Sequence, residues 1–440
     1  MIPAPPGPLG PAWEAARDRD PVVRRYRAVF ALLDWGAVPE RDPRRPWPGS
    51  PPHPAAAYVK ALLVKLCEGK PFVTDLRAYL VEHPPLVLEL GFRPVPDPAE
   101  PYGFDVERTV PGERWLRHQQ QTLDPAVLGA LLRGAVRALA AEVPGLGTTV
   151  AVDVKHLYAW VRENNPRERV PHRFDPARQP RGDPDCRLGA KRLANQDTAP
   201  GGRGPAKEYL WGYGTGIVST TDPVYGDVVL AEVTQPFNCQ DVTYFHPAYA
   251  PAVANLGARP TNLAADAAFD AWHVYQVCAE HGGLAAIPRN QRGPAPARDP
   301  DGHPRCDRGR TMAPTAQFVH EDGFRAQRYR CPLLRPARTG ETCDHAPFAK
   351  GPGCTKYVNL EAGGRMRADL DRRGEPYRGL YRQRSSAERI NSQAKALGIE
   401  RPKVRNSGSV HRLNTLTYVV INARALQRVR ATKAAAASLC

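Results

Sequence analysis

The chain has 440 residues, enough to bury the cores of two or three domains. Its 61 Lys and Arg against 45 Asp and Glu give a net charge of +16, which favours a polyanionic partner such as nucleic acid, although the abundance of Arg, Ala, Pro and Gly is also typical of compositional bias. A secretory signal is excluded at the N-terminus, and a membrane span, which needs about 18 uncharged apolar residues, is excluded throughout, so we expect a cytoplasmic protein with no membrane partner. The nine scattered cysteines are then expected to be thiols or metal ligands rather than disulfides.

Residues 1–147 are predicted to be an all-helical N-terminal domain. Amphipathic or apolar segments separated by short turns predict its helices, with Thr74 as one N-cap. These segments are 22–38, 54–69, 72–84 and 125–143. Short helices joined by tight turns are typical of tri-helical DNA-binding units and also of plain helical bundles. The basic charge of the chain favours the DNA-binding interpretation.

Residues 148–290 are predicted to contain most of a sheet. Val150, Ala151 and Val152 form a short strand that ends at Asp153, and a basic, Pro- and Gly-rich loop follows over 162–206. Further strands are predicted at 209–222, at 225–237, before Asp266 and at 282–290, with a helix over 239–257 and another after Asp266. Asp270 is predicted to be a surface residue, and Asp266 is either a site residue or the N-cap of the helix that follows it.

Residues 291–376 are predicted to be an inserted module, because Pro-rich and Gly-rich runs break the pattern of strands and helices. Cys306, Cys331, Cys343 and Cys354 lie in this segment, close to His345. Their number and span suit a structural Zn²⁺ site, but tight CxxC ligand pairs are the usual sign of zinc and none is present. Free buried thiols are therefore the slightly favoured interpretation.

Residues 377–430 are predicted to complete the sheet domain, with 431–440 as a tail. In "YRQRSSAERINSQAK", residues 381–395, the spacing of Tyr381, Arg384, Glu388 and Lys395 puts all four within a stripe ~60° wide on one helix. The simplest interpretation is a solvated face whose ion pairs contribute little. A basic loop, 401–406, and a last helix, 411–429, follow.

This order of elements predicts a mixed α/β (α+β overall) fold with a ribonuclease-H-like mixed sheet and flanking helices. Asp153 and Asp266 would lie at strand ends and Glu388 on a flanking helix. Three acids packed together repel one another unless a metal ion holds them ionised. Mg²⁺ prefers such oxygen ligands, and a pair of Mg²⁺ ions stabilises both oxygens of a phosphodiester in transfer. For Asp153, capping of a turn is the alternative.

The same residues resemble a known family, the DDE transposases of bacterial insertion sequences. One branch carries the signature Tyr-x2-Arg-x3-Glu-x6-Lys, which Tyr381, Arg384, Glu388 and Lys395 match at every position. "VAVDVKH" and "NLAADAAFD" resemble the family's two aspartate motifs, and the likeness covers roughly 148–430. The resemblance implies that Asp153, Asp266 and Glu388 are catalytic ligands of Mg²⁺ (or Mn²⁺), and that Tyr381, Arg384 and Lys395 contact DNA phosphates.

The activity implied by this resemblance is cleavage of double-stranded DNA at the ends of an insertion element and joining of the 3′-OH to target DNA. A homodimer on DNA and a nucleoid-associated location in a bacterial cytoplasm are implied as well. Three alternatives remain: a ribonuclease-H-like nuclease without strand transfer, a non-catalytic DNA-binding protein derived from a transposase, and a metal-independent carboxylate enzyme acting on sugars. The basic residues around Glu388 disfavour the last.

Overall fold

The computed structural model describes residues 10–40, 52–192, 207–290 and 297–438. The chain folds into two compact units, Met1–Arg259 with Gln383–Cys440, and Pro260–Arg382. The predicted boundary at 147/148 separates no compact units, because the N-terminal helices share one core with the sheet that follows them. Parts of the predicted loop 162–206, insertion 291–376 and tail 431–440 lie outside the described residues.

The N-terminal part of the first unit is helical, as predicted. Its helices are α1 Gly10–Arg19, α2 Pro21–Phe30, α3 Ala55–Cys67, α4 Val73–Glu82, α5 Pro84–Leu90, α6 Val106–Thr109, α7 Glu113–Thr122 and α8 Pro125–Glu142, with a short pair of strands, β1 Val95–Pro96 and β2 Phe104–Asp105.

Local chemistry fixes the start of several of these helices. Asp20 caps α2 by accepting hydrogen bonds from the Val22 and Val23 amides at 2.8 and 3.0 Å, and Pro21 supplies the preset backbone angle at the first position. The prediction that Thr74 is an N-cap is wrong. Helix α4 begins at Val73, with Phe72 at the N-cap position, and the Asp75 carboxylate accepts a hydrogen bond from the Phe72 amide at 3.0 Å.

An antiparallel sheet follows in the first unit. Its strands are β3 Thr149–Tyr158, β4 Arg187–Arg192, β5 Lys207–Asp222 and β6 Gly226–Pro236. Strand β5 pairs with β3, β4 and β6. The prediction that the first strand ends at Asp153 is wrong. Asp153 lies in the middle of β3, opposite Ile217, and residues 154–158 continue the pairing with β5. Strand β4 lies inside the segment predicted to be a loop.

Alternate glycines open one face of β5. A Cβ atom at Gly214 would lie 2.3 Å from the Tyr244 hydroxyl, and one at Gly216 would lie 2.8 Å from Tyr244 Cβ. The fully buried Tyr244 ring therefore rests directly on this strand. It comes just before helix α9 Phe245–Leu256, which contains Pro251 and matches the predicted helix over 239–257.

The second unit begins with a short parallel pair of strands. Strand β7 Asn262–Ala265 pairs with β8 Ala285–Ala286, and helix α10 Trp272–Ala279 connects them. A three-stranded antiparallel sheet follows, made of β9 Ala313–Val319, β10 Arg325–Arg330 and β11 Thr355–Asn359 in the order β11-β10-β9. Helices α11 Ala346–Ala349, α12 Ala362–Asp369 and α13 Glu375–Tyr381 complete the unit.

The chain returns to the first unit for its last two helices, α14 Ser385–Ala396 and α15 Ser407–Ala437. Helix α15 starts earlier and ends later than predicted. Its central residues are buried, including Leu416, Val420 and Leu426, and they lie against α8, α3 and β6. The fold is thus mixed α/β, and within the ranges given above no helix is long and apolar enough to cross a membrane.

Candidate functional site

Asp153 lies on the face of β3 that meets helix α14. Asn391 of that helix donates from Nδ2 to Asp153 Oδ2 at 2.9 Å. The other polar atom of this amide, Asn391 Oδ1, is buried and has no hydrogen-bond partner among the described residues. An unpaired buried oxygen is costly, so Asn391 presents an oxygen that a cation or a water molecule would satisfy.

Helix α14 is held against the sheet by a buried apolar side and by two polar anchors. Ala387, Ile390 and Ala394 are fully buried. Arg389 binds the nearly buried carboxylate of Asp227 through two hydrogen bonds, of 2.7 and 2.6 Å. This bidentate geometry fixes the rotation of α14 as well as its distance from β6. The side chains on the remaining face of α14 are therefore presented in one orientation.

Glu388 lies on that remaining face, three residues before Asn391, so the two side chains are neighbours on adjacent turns of α14. The Glu388 side chain is 55% exposed, and its carboxylate accepts a hydrogen bond from Arg384. Asp153 is reached through Asn391. The first unit therefore places Asn391, a residue that the sequence did not single out, against Asp153 and one turn from Glu388.

Two lysines lie beside α14. Lys395, at the end of α14, lies 3.3 Å from Glu400, and Lys155 of β3 lies 3.4 Å from the same carboxylate. Burial raises the pKa of Glu400, but Lys155 and Lys395 outweigh that effect and hold it below its usual value. Burial, opposed by Glu400, lowers the pKa of Lys155, with Lys191 and Lys395 lowering it further. Glu400 thus stays ionised and fixes two ammonium groups beside α14.

The predicted four-residue stripe does not lie on one continuous helix. Tyr381 ends α13 in the second unit, Arg384 belongs to a 3-10 turn, Arg382–Arg384, and only Glu388 and Lys395 lie on α14. The prediction of a single helix is therefore wrong. The Tyr381 ring stacks on Tyr377 with centroids 5.7 Å apart and planes 7° apart, which accounts for its packing within the second unit.

Asp266 directly follows strand β7, as predicted. Its carboxylate accepts from the Ala268 amide at 2.9 Å, so it also caps the short 3-10 turn Ala267–Phe269. Asp266 belongs to the second unit, and Asp153 and Glu388 belong to the first. The convergence of all three acids therefore stays a prediction.

The prediction that Asp270 is a surface residue is wrong. Its side chain is fully buried, and Arg367 binds it through two hydrogen bonds of 2.9 and 3.0 Å. Tyr275 and the Asn290 amide also donate to it, each at 2.9 Å. Burial raises the pKa of Asp270, but the Arg367 bonds and the Asn290 amide outweigh it and leave this pKa below its usual value. Asp270 is a buried ion-pair residue of the second unit.

Clusters of metal-binding side chains are absent from the described residues. Across the parts of the chain that the structure describes, no three His, Cys, Asp or Glu side chains lie together as metal ligands. The first unit nevertheless offers oxygen donors, the ligand type that Mg²⁺ prefers. They are the carboxylate oxygens of Asp153 and Glu388 and the unpaired Oδ1 of Asn391. Binding of Mg²⁺ by Asp153, Asp266 and Glu388 stays a prediction.

The four cysteines of the predicted insertion are drawn together. Cys306, Cys331 and Cys354 are buried in one small cluster, and Cys343 packs against it. Arg330 pairs with Thr355 in the ladder between β10 and β11, so Cys331 and Cys354 occupy the next position of that register. His345 Nδ1 lies 3.0 Å from Cys354 Sγ. Burial, with the neighbouring thiols, raises the pKa of Cys354 to about 11, which favours the protonated thiol.

Comparison with known proteins adds no family assignment. No model of a protein family matches the chain, and no curated protein matches it.

Proposed function

We propose that the protein is a DNA transposase that cleaves phosphodiesters at the ends of an insertion element and joins the resulting 3′-OH to target DNA. The observation that carries the proposal is the seating of Glu388, within its Tyr-x2-Arg-x3-Glu-x6-Lys spacing, one turn from the Asn391 amide that binds Asp153. Spacing in sequence and position on β3 and α14 point to the same two acids.

The fold supports a ribonuclease-H-like core. The antiparallel set of β3, β5 and β6 in the first unit and the parallel pair of β7 and β8 in the second are the kinds of strand pairs that such a mixed sheet contains. Asp266 follows the first strand of the parallel pair, where site residues of open α/β sheets gather. We place Asp266 with Asp153 and Glu388 as the third acid.

Asp153, Asp266 and Glu388 would hold Mg²⁺ or Mn²⁺, with Asn391 Oδ1 as an additional oxygen. When bound, the ions supply charge stabilisation at the attacking and leaving oxygens of the phosphodiester. Glu388 would serve as a ligand of the ion, and Arg384, which donates to the Glu388 carboxylate, would contact the DNA phosphate beside it. Glu388 and Arg384 then act on the same phosphate from adjacent positions.

Lys395 and Lys155 position the DNA strand. Both ammonium groups are held by Glu400, so their charge is fixed in place before DNA arrives. Fixed charges need no reorganisation when a phosphate binds, and they also stabilise the charge that develops during transfer. Tyr381 is assigned to the same phosphate by its place in the signature. The partners are element-end and target duplexes, a homodimer pairs the two ends, and the protein acts at the bacterial nucleoid.

The decisive experiment uses a plasmid that carries the DNA found on either side of the coding region. Purified protein with Mg²⁺ or Mn²⁺ is expected to nick this DNA and to join the cut ends to a second plasmid. Asp153→Asn, Asp266→Asn and Glu388→Gln should each reduce both products by orders of magnitude. Glu107→Gln is the matched control, since Glu107 is an exposed helical glutamate paired to Arg77 in the same manner.

Each rival predicts a different result. Nicking without joining would identify a nuclease, and DNA binding without either product would identify a non-catalytic DNA-binding protein. Full cleavage by Glu388→Gln would overturn the proposed site. Cleavage that persists in chelator would remove the role of the metal ion.

A further inference from the structure

A basic and aromatic groove lies in the first unit, and its residues play no part in the chemistry proposed above. Two cavities, of about 330 and 310 Å³, share Val161, Arg162 and Arg405 in their walls and therefore adjoin. They form where the end of strand β3 meets the loop that follows α14. We call the pair the Trp160 groove.

Aromatic rings line the first cavity. The Trp160 residue is 38% exposed, a large fraction for a tryptophan. Arg405 Cζ lies 4.9 Å from the centroid of its ring, and Arg401 Cζ lies 4.0 Å from the centroid of Tyr158. Phe72, also exposed, lies 5.9 Å from Trp160 between centroids. The Tyr158 and Trp160 rings thus each carry a guanidinium over one face, and Trp160 keeps exposed ring surface beside it.

The second cavity carries charge rather than rings. Arg173, Arg178 and Arg181 line it in addition to the shared Arg162 and Arg405. Over both cavities, seven Arg or Lys side chains stand against two glutamates. Arginines at this density favour a ligand with several phosphates in a row.

The groove is rigid. The Asn164 amide donates to the carbonyls of Ala159 and Trp211 at 2.8 and 2.7 Å and accepts from the Trp211 amide at 3.0 Å. The Tyr158 amide donates to the Glu400 carbonyl at 2.9 Å, which ties the strand to the loop that carries Arg401. Rings and charges are therefore held in place without a ligand, which lowers the cost of binding.

From this geometry we infer that the Trp160 groove binds single-stranded DNA. Unpaired bases stack on the exposed Trp160 ring, and the connecting phosphates lie along the arginines of the second cavity. Exposed aromatic rings beside a basic track are the usual platform for single strands, because every unpaired base offers a face for stacking. A duplex buries those faces, and would use only the charges. The inference rests on the proposed function for the choice of DNA as the polynucleotide.

Binding is measured without metal, by fluorescence anisotropy of a labelled oligonucleotide of mixed sequence, as a single strand and as a duplex. Trp160→Ala is expected to weaken single-strand binding roughly 5- to 100-fold, the usual effect of losing one stacking ring, with little change for the duplex. Trp160→Phe should restore most of the affinity. Tyr357→Ala is the control, because Tyr357 is a 50% exposed ring outside both the groove and the N-terminal helices, and it should leave both affinities unchanged.

The charged part of the groove is tested by salt dependence. Affinity for the single strand falls as salt concentration rises. Arg181→Gln should make the plot of log affinity against log salt less steep, by about 0.7. Arg308→Gln, on an exposed arginine of the second unit that is paired to Asp344, serves as the control. Melting temperatures of all variants confirm that the fold is kept.

The inference fails if Trp160→Ala melts normally and binds the single strand as tightly as the unchanged protein, or if it weakens duplex binding equally. Tighter binding of an RNA strand of the same sequence would replace DNA by RNA as the ligand. Strand transfer with an inert Trp160 groove would leave the proposed function standing alone. Single-strand binding through Trp160 without any cleavage would leave this inference and remove the function.

Discussion

The Nδ2 atom of Asn391 lies 2.9 Å from Asp153 Oδ2, while Oδ1 of the same amide is buried without a partner among the described residues. One end of the amide therefore orients a carboxylate, and the other end offers an oxygen. The ion pair of Arg389 with Asp227 anchors α14, so the backbone of Asn391 is held beside β3. Asn391 thus contacts Asp153 and lies one turn from Glu388.

Asn391→Asp tests this arrangement. A second carboxylate beside Asp153 adds repulsion in the absence of a cation, so the melting temperature should fall by several degrees without Mg²⁺. Added Mg²⁺ should restore more stability to the variant than to the unchanged protein, because binding the ion to the folded state stabilises it. Asn238→Asp, in an exposed turn of the same unit, is the control. Equal Mg²⁺ effects in all three proteins would contradict a metal role for this amide.

Asp266 and Asp270 are predicted to behave oppositely. Asp266→Asn keeps a good capping side chain, so the free energy of unfolding should change by less than about 0.5 kcal/mol, while DNA cleavage is lost. Asp270→Asn breaks a buried ion pair and should destabilise the second unit by about 3–5 kcal/mol. Chemical denaturation and a nicking assay on both variants provide the measurement. A stable Asp270→Asn protein that fails to cleave would transfer the catalytic role to Asp270.

His411 gives a pH dependence with a definite sign. Its Nδ1 lies 3.1 Å from the buried Glu232 carboxylate, which raises the pKa of His411 against burial and the nearby Arg412. The raised pKa means that the pair stabilises the fold fully below the ordinary histidine value of about 6.5, and that this contribution is lost as pH rises through the folded-state pKa. The melting temperature should therefore decline as pH rises from the ordinary histidine pKa through the raised pKa of His411.

His411→Gln isolates this contribution. At pH 6 the variant should be about 1.5–3 kcal/mol less stable, the usual size of a hydrogen bond to a charged group. The difference should shrink as pH rises, because the unchanged protein loses its imidazolium. His118→Gln, at an exposed histidine of α7, should follow the unchanged protein at every pH. A difference that grows with pH would be inconsistent with an imidazolium at position 411.

The cysteine cluster is expected to contain thiols rather than zinc. Zinc requires deprotonated ligands, and among the described residues no three His, Cys, Asp or Glu side chains lie together as metal ligands, so protonated thiols are expected. Metal analysis of protein purified without chelator should find less than about 0.1 zinc per chain. One tightly held zinc per chain, lost together with the fold in Cys331→Ser and retained in the control Cys67→Ser, would establish a zinc module instead.

Local patterns in the sequence predicted much of the fold. Strands β5 and β6, the bent helix α9 and the place of Asp266 after β7 all follow from period-2 alternation, prolines and short apolar runs. The charge of Asp153 predicts a strand end there, but β3 continues its pairing with β5 to Tyr158. Strand β4 was missed because Arg, Pro and Gly dominate its surroundings.

The parts of the sites that could not be predicted depend on residues far apart in sequence. Asp270 is buried because Arg367 reaches it from another helix, and no spacing rule connects the two. Asn391 gains its role only from the rotation of α14 on the sheet. The Trp160 groove joins the end of β3 to the loop 401–405, and neither segment carries a motif alone.

The position of α15 in the core has a consequence for synthesis of the protein on the ribosome. Helices α3 and α8 emerge early in translation, but the partner that covers their apolar faces, α15, begins only at Ser407. The second unit, whose residues are contiguous, can fold while the first is still incomplete. The faces of α3 and α8 that pack against α15 therefore stay uncovered until α15 has been made. A premature stop before α15 would remove a central part of this core.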